Sequence, residues 1–188
     1  MKRIASVILT GALILSMGAA AFAATPSKTV ADEIKADVAV ETTGFDRVSI
    51  STEETEATVA QSAEVVKELA SSTEELKKTV DATAEEKIEI IAVRTVTSKQ
   101  TPLFNRTEVT ASLSSAVIDA ACTENEQVTV LVMVPVVGKD GTVTYEKIAV
   151  TSGVVKDGKV QVKLTGALLK KIGKRKVTLV AIKKIAKV

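Results

Sequence analysis

The chain has no histidine and no tryptophan, a single cysteine and three prolines in 188 residues. Without His, the commonest general base, triad member and zinc ligand is missing, and one thiol cannot build a thiolate metal site. Beyond the first 23 residues the aromatics are Phe45, Phe104 and Tyr145. That removes the stacking platforms on which sugar-binding and single-strand nucleic-acid-binding surfaces depend. The lone Cys122 has no disulfide partner inside the chain, so apolar burial has to hold the fold. At the end of a short apolar helix it reads as a small core residue. These absences argue against an enzyme, a metal site, a cofactor and a nucleic-acid partner. The Glu-rich run around Glu53, Glu54 and Glu56 offers paired carboxylates for a hydrolase, but in a solvated stretch with nothing apolar to raise a pKa.

What is present begins with an address. Lys2 and Arg3 precede an apolar stretch over residues 7–15, and Ala21-Phe22-Ala23 has the small-x-small form of a cleavage site. The expectation is a signal peptide over residues 1–23, a mature chain starting at Ala24 or Thr25, and a secreted or cell-envelope location. The apolar stretch is too short to span a bilayer, and no second one of spanning length follows, so no transmembrane segment is expected after cleavage.

Residues 24–52 read as a leader, flexible or weakly structured. Val30, Ile34 and Val38 fit a helical stripe, while Val38 and Val40 with Val48 and Ile50 fit a loose hairpin around Thr43-Gly44. Residues 53–83 form an amphipathic helical segment, with Val59, Ala63, Val66, Leu69, Thr73, Leu76 and Val80 at spacings of three and four. Ser72 to Glu75 has the form of a capping box, so one helix or two meeting near Ser71 both fit.

Residues 84–188 read as a β domain expected to fold by itself. Its strands are predicted over 87–96, 107–113, 127–137, 142–151, 159–164 and 176–183, from β-branched alternation and from turns at Lys139-Asp140-Gly141 and Lys156-Asp157-Gly158. One pattern occurs twice. Val109, Ala111 and Leu113 alternate, and so do Val160, Val162 and Leu164. Ser114 or Thr165 then supplies a candidate N-cap, a short apolar helix follows, and a new strand begins. Helices of about eight residues are short for a parallel crossover, which takes a dozen or more residues, but suit arches between facing sheets. The fold expected is mainly β with an α-helical N-terminal segment: an immunoglobulin-like β-sandwich with two short helical crossovers. The alternative is a split βαβ arrangement with both helices on one face of a single sheet.

Over roughly residues 85–188 this order of strand, short helix, strand and hairpin resembles the immunoglobulin-like modules of bacterial secreted and surface proteins. The buried Trp and Cys pair that mark antibody domains are absent, so the resemblance implies a fold and no binding residues.

Charge is divided along the chain. Residues 25–83 hold 6 basic and 13 acidic side chains, a net −7, whereas residues 84–188 hold 17 and 10, a net +7. The basic residues thicken in the second crossover at Lys170, Lys171, Lys174, Arg175 and Lys176, where the first carries Glu124 and Glu126. The function expected is a non-catalytic exported structural, adhesive or binding module. Its basic crossover would meet an anionic cell-wall polymer or an acidic exported protein. An inhibitor or chaperone-like partner of another exported protein is the alternative, using the helix stripe or an edge strand.

Overall fold

The computed structural model describes residues 14–15, 34–43, 48–100, 102 and 106–186. Most of the expected signal peptide, much of the leader, and Phe45, Phe104 and Asn105 lie outside the described residues. Nine strands are described: β1 (Ile14–Leu15), β2 (Asp37–Thr43), β3 (Ile50–Ser51), β4 (Lys87–Ser98), β5 (Glu108–Ser114), β6 (Gln127–Val137), β7 (Val143–Lys156), β8 (Lys159–Thr165) and β9 (Lys176–Ile185). Four helices accompany them: α1 (Glu56–Ser71), α2 (Thr73–Thr79), α3 (Ala116–Ala121) and α4 (Gly166–Ile172).

The strands follow one hydrogen-bonded path, β1-β4-β9-β6-β7-β8-β5-β2, with β3 beside β4. Every strand-to-strand ladder is antiparallel. The sheet curls until it is nearly barrel-shaped, because its two flanks are stitched together. Lys35, just before β2, bridges to Val93 of β4, and the Ala36 N–H donates to the Val93 carbonyl at 3.1 Å. Ser115 Oγ, just after β5, donates to the Ile91 carbonyl at 2.6 Å.

Alternation along the strands gives this wall two apolar faces. Val109, Ala111, Leu113, Val160, Val162, Leu164, Val177 and Leu179 point into the enclosed core with Val128, Val130, Val132 and Val134, all buried. Gly153 belongs to this face, and a Cβ there would stand 2.6 Å from Val160 Cγ1, so only a glycine lets β7 approach β8 this closely. The opposite face of β4, β9 and β6 presents Ile88, Ile90, Val93, Val180, Ile182, Leu131 and Met133, and α1 and α2 cover it with Val65, Val66, Leu69, Leu76 and Val80. β6 is thus buried on both faces along its middle, as its nearly continuous apolar run requires.

The repeated pattern acquires a spatial meaning. β5 and β8 pair antiparallel, with Leu113 beside Val160 and Glu108 beside Thr165, so α3 and α4, which follow them, sit at opposite ends of the wall. Each joins strands three steps apart on the path, β5 to β6 and β8 to β9, and lays its apolar residues over one end of the core: Ile118 from α3, Leu169 and Ile172 from α4.

Four details differ from the sequence reading. Residues 37–43 and 50–51 make neither a common helix nor a hairpin; they pair separately with β5 and β4, where flanking strands of the sheet offer open edges. The first crossover is capped by Ser115, which accepts from the Ile118 N–H at 3.2 Å, because Ser114 is still paired with Asp37 in the ladder. The capping box lies at Thr55–Thr58, whereas Ser72, at φ −119° and ψ 40°, makes no side-chain cap and marks the break between α1 and α2. The buried stripe of α1 is Thr58, Gln61, Val65, Val66 and Leu69, with Val59 41% exposed. The helix is turned so that Gln61 Nε2 can donate to Thr178 Oγ1 at 3.0 Å. Thr178 Oγ1 in turn lies 2.8 Å from Thr95 Oγ1, and Thr95 lies 2.8 Å from Ser62 Oγ. A polar side chain placed on an apolar face is tolerated where hydroxyls of the facing strands satisfy it.

Candidate functional site

The five basic residues of the second crossover stand together at one end of the sheet, and the structure divides them by what each does. Lys170 and Lys171 occupy the last turn of α4, where a positive charge complements the carbonyl end of the helix. Lys174 lies in the following loop, and all three are exposed. Arg175 turns back on the helix: its Nε donates to the Ile172 carbonyl at 2.8 Å and its Nη2 to the Lys171 carbonyl. Its guanidinium therefore closes the C-terminus of α4, beside Gly173 at φ 63°. Lys176 opens β9 opposite Thr97 and is half-buried. The Arg175 carbonyl accepts from the Ser98 N–H at 3.0 Å, fixing the loop to the end of β4. Among the described residues, none of the five is in an ion pair.

The other end is built differently. Glu126, from the first crossover, pairs with Lys183 at 2.9 Å, and the same ammonium donates to the Ala121 carbonyl at the end of α3. Burial pushes the Glu126 carboxyl up, but Lys183 and the Thr123 N–H more than offset this and hold it below the ordinary value. Glu124 accepts from the Asp157 N–H at 3.1 Å in the adjacent hairpin turn. Glu124 and Glu126 thus have partners inside the protein, whereas Asp119, on α3 itself, is exposed. Cys122 closes α3 half-buried against the core, and burial pushes its thiol up, away from the reactive thiolate.

Among the described residues, no ion pair joins the acidic N-terminal segment to the lysines of α4. Glu54 instead receives Lys35 and, at 2.7 Å, Arg94 Nη1 of β4, and these two donors hold its carboxyl below the ordinary value. Arg94 Nη2 also donates to the Thr52 carbonyl at 2.9 Å, while its Nε, buried, has no partner. This clasp ties the stretch before α1 to the sheet. A second tie runs from Tyr145 of β7 to Glu64, where burial and the neighbouring carboxylate push the phenol well above its usual range. Between α1, α2 and the β6–β7 ribbon lies an open groove of about 240 Å³, floored by Leu69, Leu76, Leu131 and Met133. Sequence pattern alone did not single out Arg94 or Gln61, and it set Glu54 in a solvated acidic run with no partner named. The one available signal was the pair of hydroxyls, Thr95 and Thr178, set within otherwise apolar strands.

Among the described residues there is no cluster able to hold a metal ion, and no helix is long and apolar enough to cross a membrane. Chemically, what the lysine-bearing end offers is diffuse positive charge on flexible stems, suited to attracting anions without bidentate geometry. Comparison with protein-family models, curated proteins and solved structures gives no match, so the reading of this surface rests on its own residues.

Proposed function

We propose that this chain is an exported, non-catalytic binding module that meets an anionic partner at the cell envelope through the α4 end of its sheet. The observation that carries the reading is the asymmetry between the two crossovers. Lys170, Lys171 and Lys174 are exposed and free of ion pairs among the described residues, whereas at the opposite end Glu126 pairs with Lys183 and Glu124 accepts from the Asp157 N–H. Unneutralised charge of one sign at one end of a molecule raises the local concentration of an oppositely charged partner and speeds encounter. Export rests on Lys2, Arg3 and Ala21-Phe22-Ala23, and the non-catalytic reading on the absence of His.

The finer fold assignment belongs to the same proposal: the two strand-helix-strand crossings, each joining strands well separated on the path, are the feature shared with immunoglobulin-like modules. The binding test uses the full mature chain and purified anionic cell wall. Joint replacement of Lys170, Lys171 and Lys174 by Gln should abolish most binding at low salt, and the unmodified chain should lose binding toward physiological salt, where charges are screened over about 8 Å. Equal binding by the variant and the unmodified chain at low salt would refute the role given to these lysines.

A further inference from the structure

The wall of the sheet has a seam. β8 pairs with β7 only over Gly153–Lys156 on the β7 side, then leaves it and follows β5 as far as Thr165. From Val143 to Ser152, β7 keeps β6 on one side and has no ladder partner on the other among the described residues. The consequence shows in burial: within β7 only Gly153 and Val155 are buried, and Val143 and Val150 are 47% and 45% exposed. Ile148, Ala149 and, from α4, Leu168 pack against the core and remain partly open to solvent.

The seam is not uniform. A bulge at Ile148, between the pairs Val132–Ala149 and Met133–Lys147, bends the strand. Lys147 beyond it is drawn to Thr79 of α2, at 3.0 Å. A bulge and a lysine are the devices that blunt a free edge, and here they protect the half of β7 nearest the hairpin tip, where Glu146 also lies. Residues 149–152 have neither. Their unpaired backbone groups form a short template for another strand, and α4, with Lys170 and Lys171 in its last turn, packs against both β7 and β8 beside it.

We infer that the partner is an extended acidic polypeptide segment, added as a strand to β7 along Ala149–Ser152. This rests on the proposed role of the lysine-bearing end and names its ligand class. Backbone pairing with β7 supplies affinity. Alternate apolar side chains cover Ile148, Ala149 and Leu168, and carboxylates reach Lys170 and Lys171. A sugar-phosphate or other non-peptide polymer could satisfy the lysines but has no row of amide donors and acceptors for the edge.

The test uses the full mature chain and a short fluorescent peptide of alternating Glu and Val, followed by anisotropy. Binding is expected at low salt, and N-methylation of alternate peptide amides, which leaves every charge in place, should weaken it about tenfold or more, the scale of a few lost backbone hydrogen bonds. Joint replacement of Lys170 and Lys171 by Gln should weaken it as well and reduce its salt dependence. Equal binding by methylated and unmethylated peptide, with displacement of both by inorganic polyphosphate, would overturn strand addition while leaving the lysine-bearing end as an anion site. No binding of either peptide or polyphosphate at low salt would overturn both readings.

Discussion

A chain that begins at residue 84 should not fold as an independent unit. Although every strand from β4 to β9 lies within it, such a chain loses α1 and α2, which cover Ile88, Ile90, Val93, Leu131, Met133, Val180 and Ile182 on the outer face of the sheet. Full burial of an aliphatic side chain contributes about 1.5–3 kcal/mol, so uncovering one side of each surrenders about 1 kcal/mol apiece and about 7 kcal/mol together. The total stability of a domain of this size is about 5–15 kcal/mol, so the loss is of the same order as everything available. The truncation also removes β2 from the edge of β5 and the stitch from Ala36 to Val93. The assay is a urea melt followed by circular dichroism, with dye binding to report exposed apolar surface. The full mature chain should unfold in one cooperative transition, and the chain from residue 84 should bind dye strongly and show no such transition. A cooperative melt of the short chain with the midpoint of the full one would refute the view that the helical segment is part of the core.

Three further outcomes follow from individual side chains. Leu113→Ala and Leu164→Ala each remove a fully buried side chain from the enclosed core and should each cost about 2–5 kcal/mol in urea melts of the full mature chain. Arg175→Gln should lower stability by about 1 kcal/mol, the scale of a lost helix-end contact, while leaving the salt dependence of anion binding nearly intact; Lys170→Gln should do the reverse. Because the Glu54 carboxyl is held below its ordinary 4.5 by Lys35 and Arg94, the stability it contributes is present above that value and is lost as pH falls through its lower folded value. Glu54→Gln should therefore lower stability at neutral pH and flatten the acid limb of the stability profile below pH 4.5, measured by urea melts across pH.

The sequence alone determined the six strands from β4 to β9, the turns between them and the two helical crossovers, since these are local events. β-branched alternation sets strand faces, Asp157-Gly158 sets a turn with both residues at positive φ, and Thr165 caps α4 where a hydroxyl precedes a short apolar run. It also placed Leu113 and Leu164 in the core and gathered the basic residues at one crossover. Pairing partners were decided only by the tertiary structure, because an edge is recognised by what lies across from it and not by its own residues. Thus Asp37–Thr43 and Ile50–Ser51, which look like one weak hairpin, become separate additions to β5 and β4. The helical segment followed the same rule. Its apolar spacing announced an amphipathic helix, but the facing hydroxyls of Thr95 and Thr178 drew Gln61 inward and turned Val59 out. Among the five basic residues the sequence recorded only equal positive charges. Folding brought the carbonyl end of α4 within reach of Arg175, and so separated a side chain that closes a helix from the exposed lysines beside it.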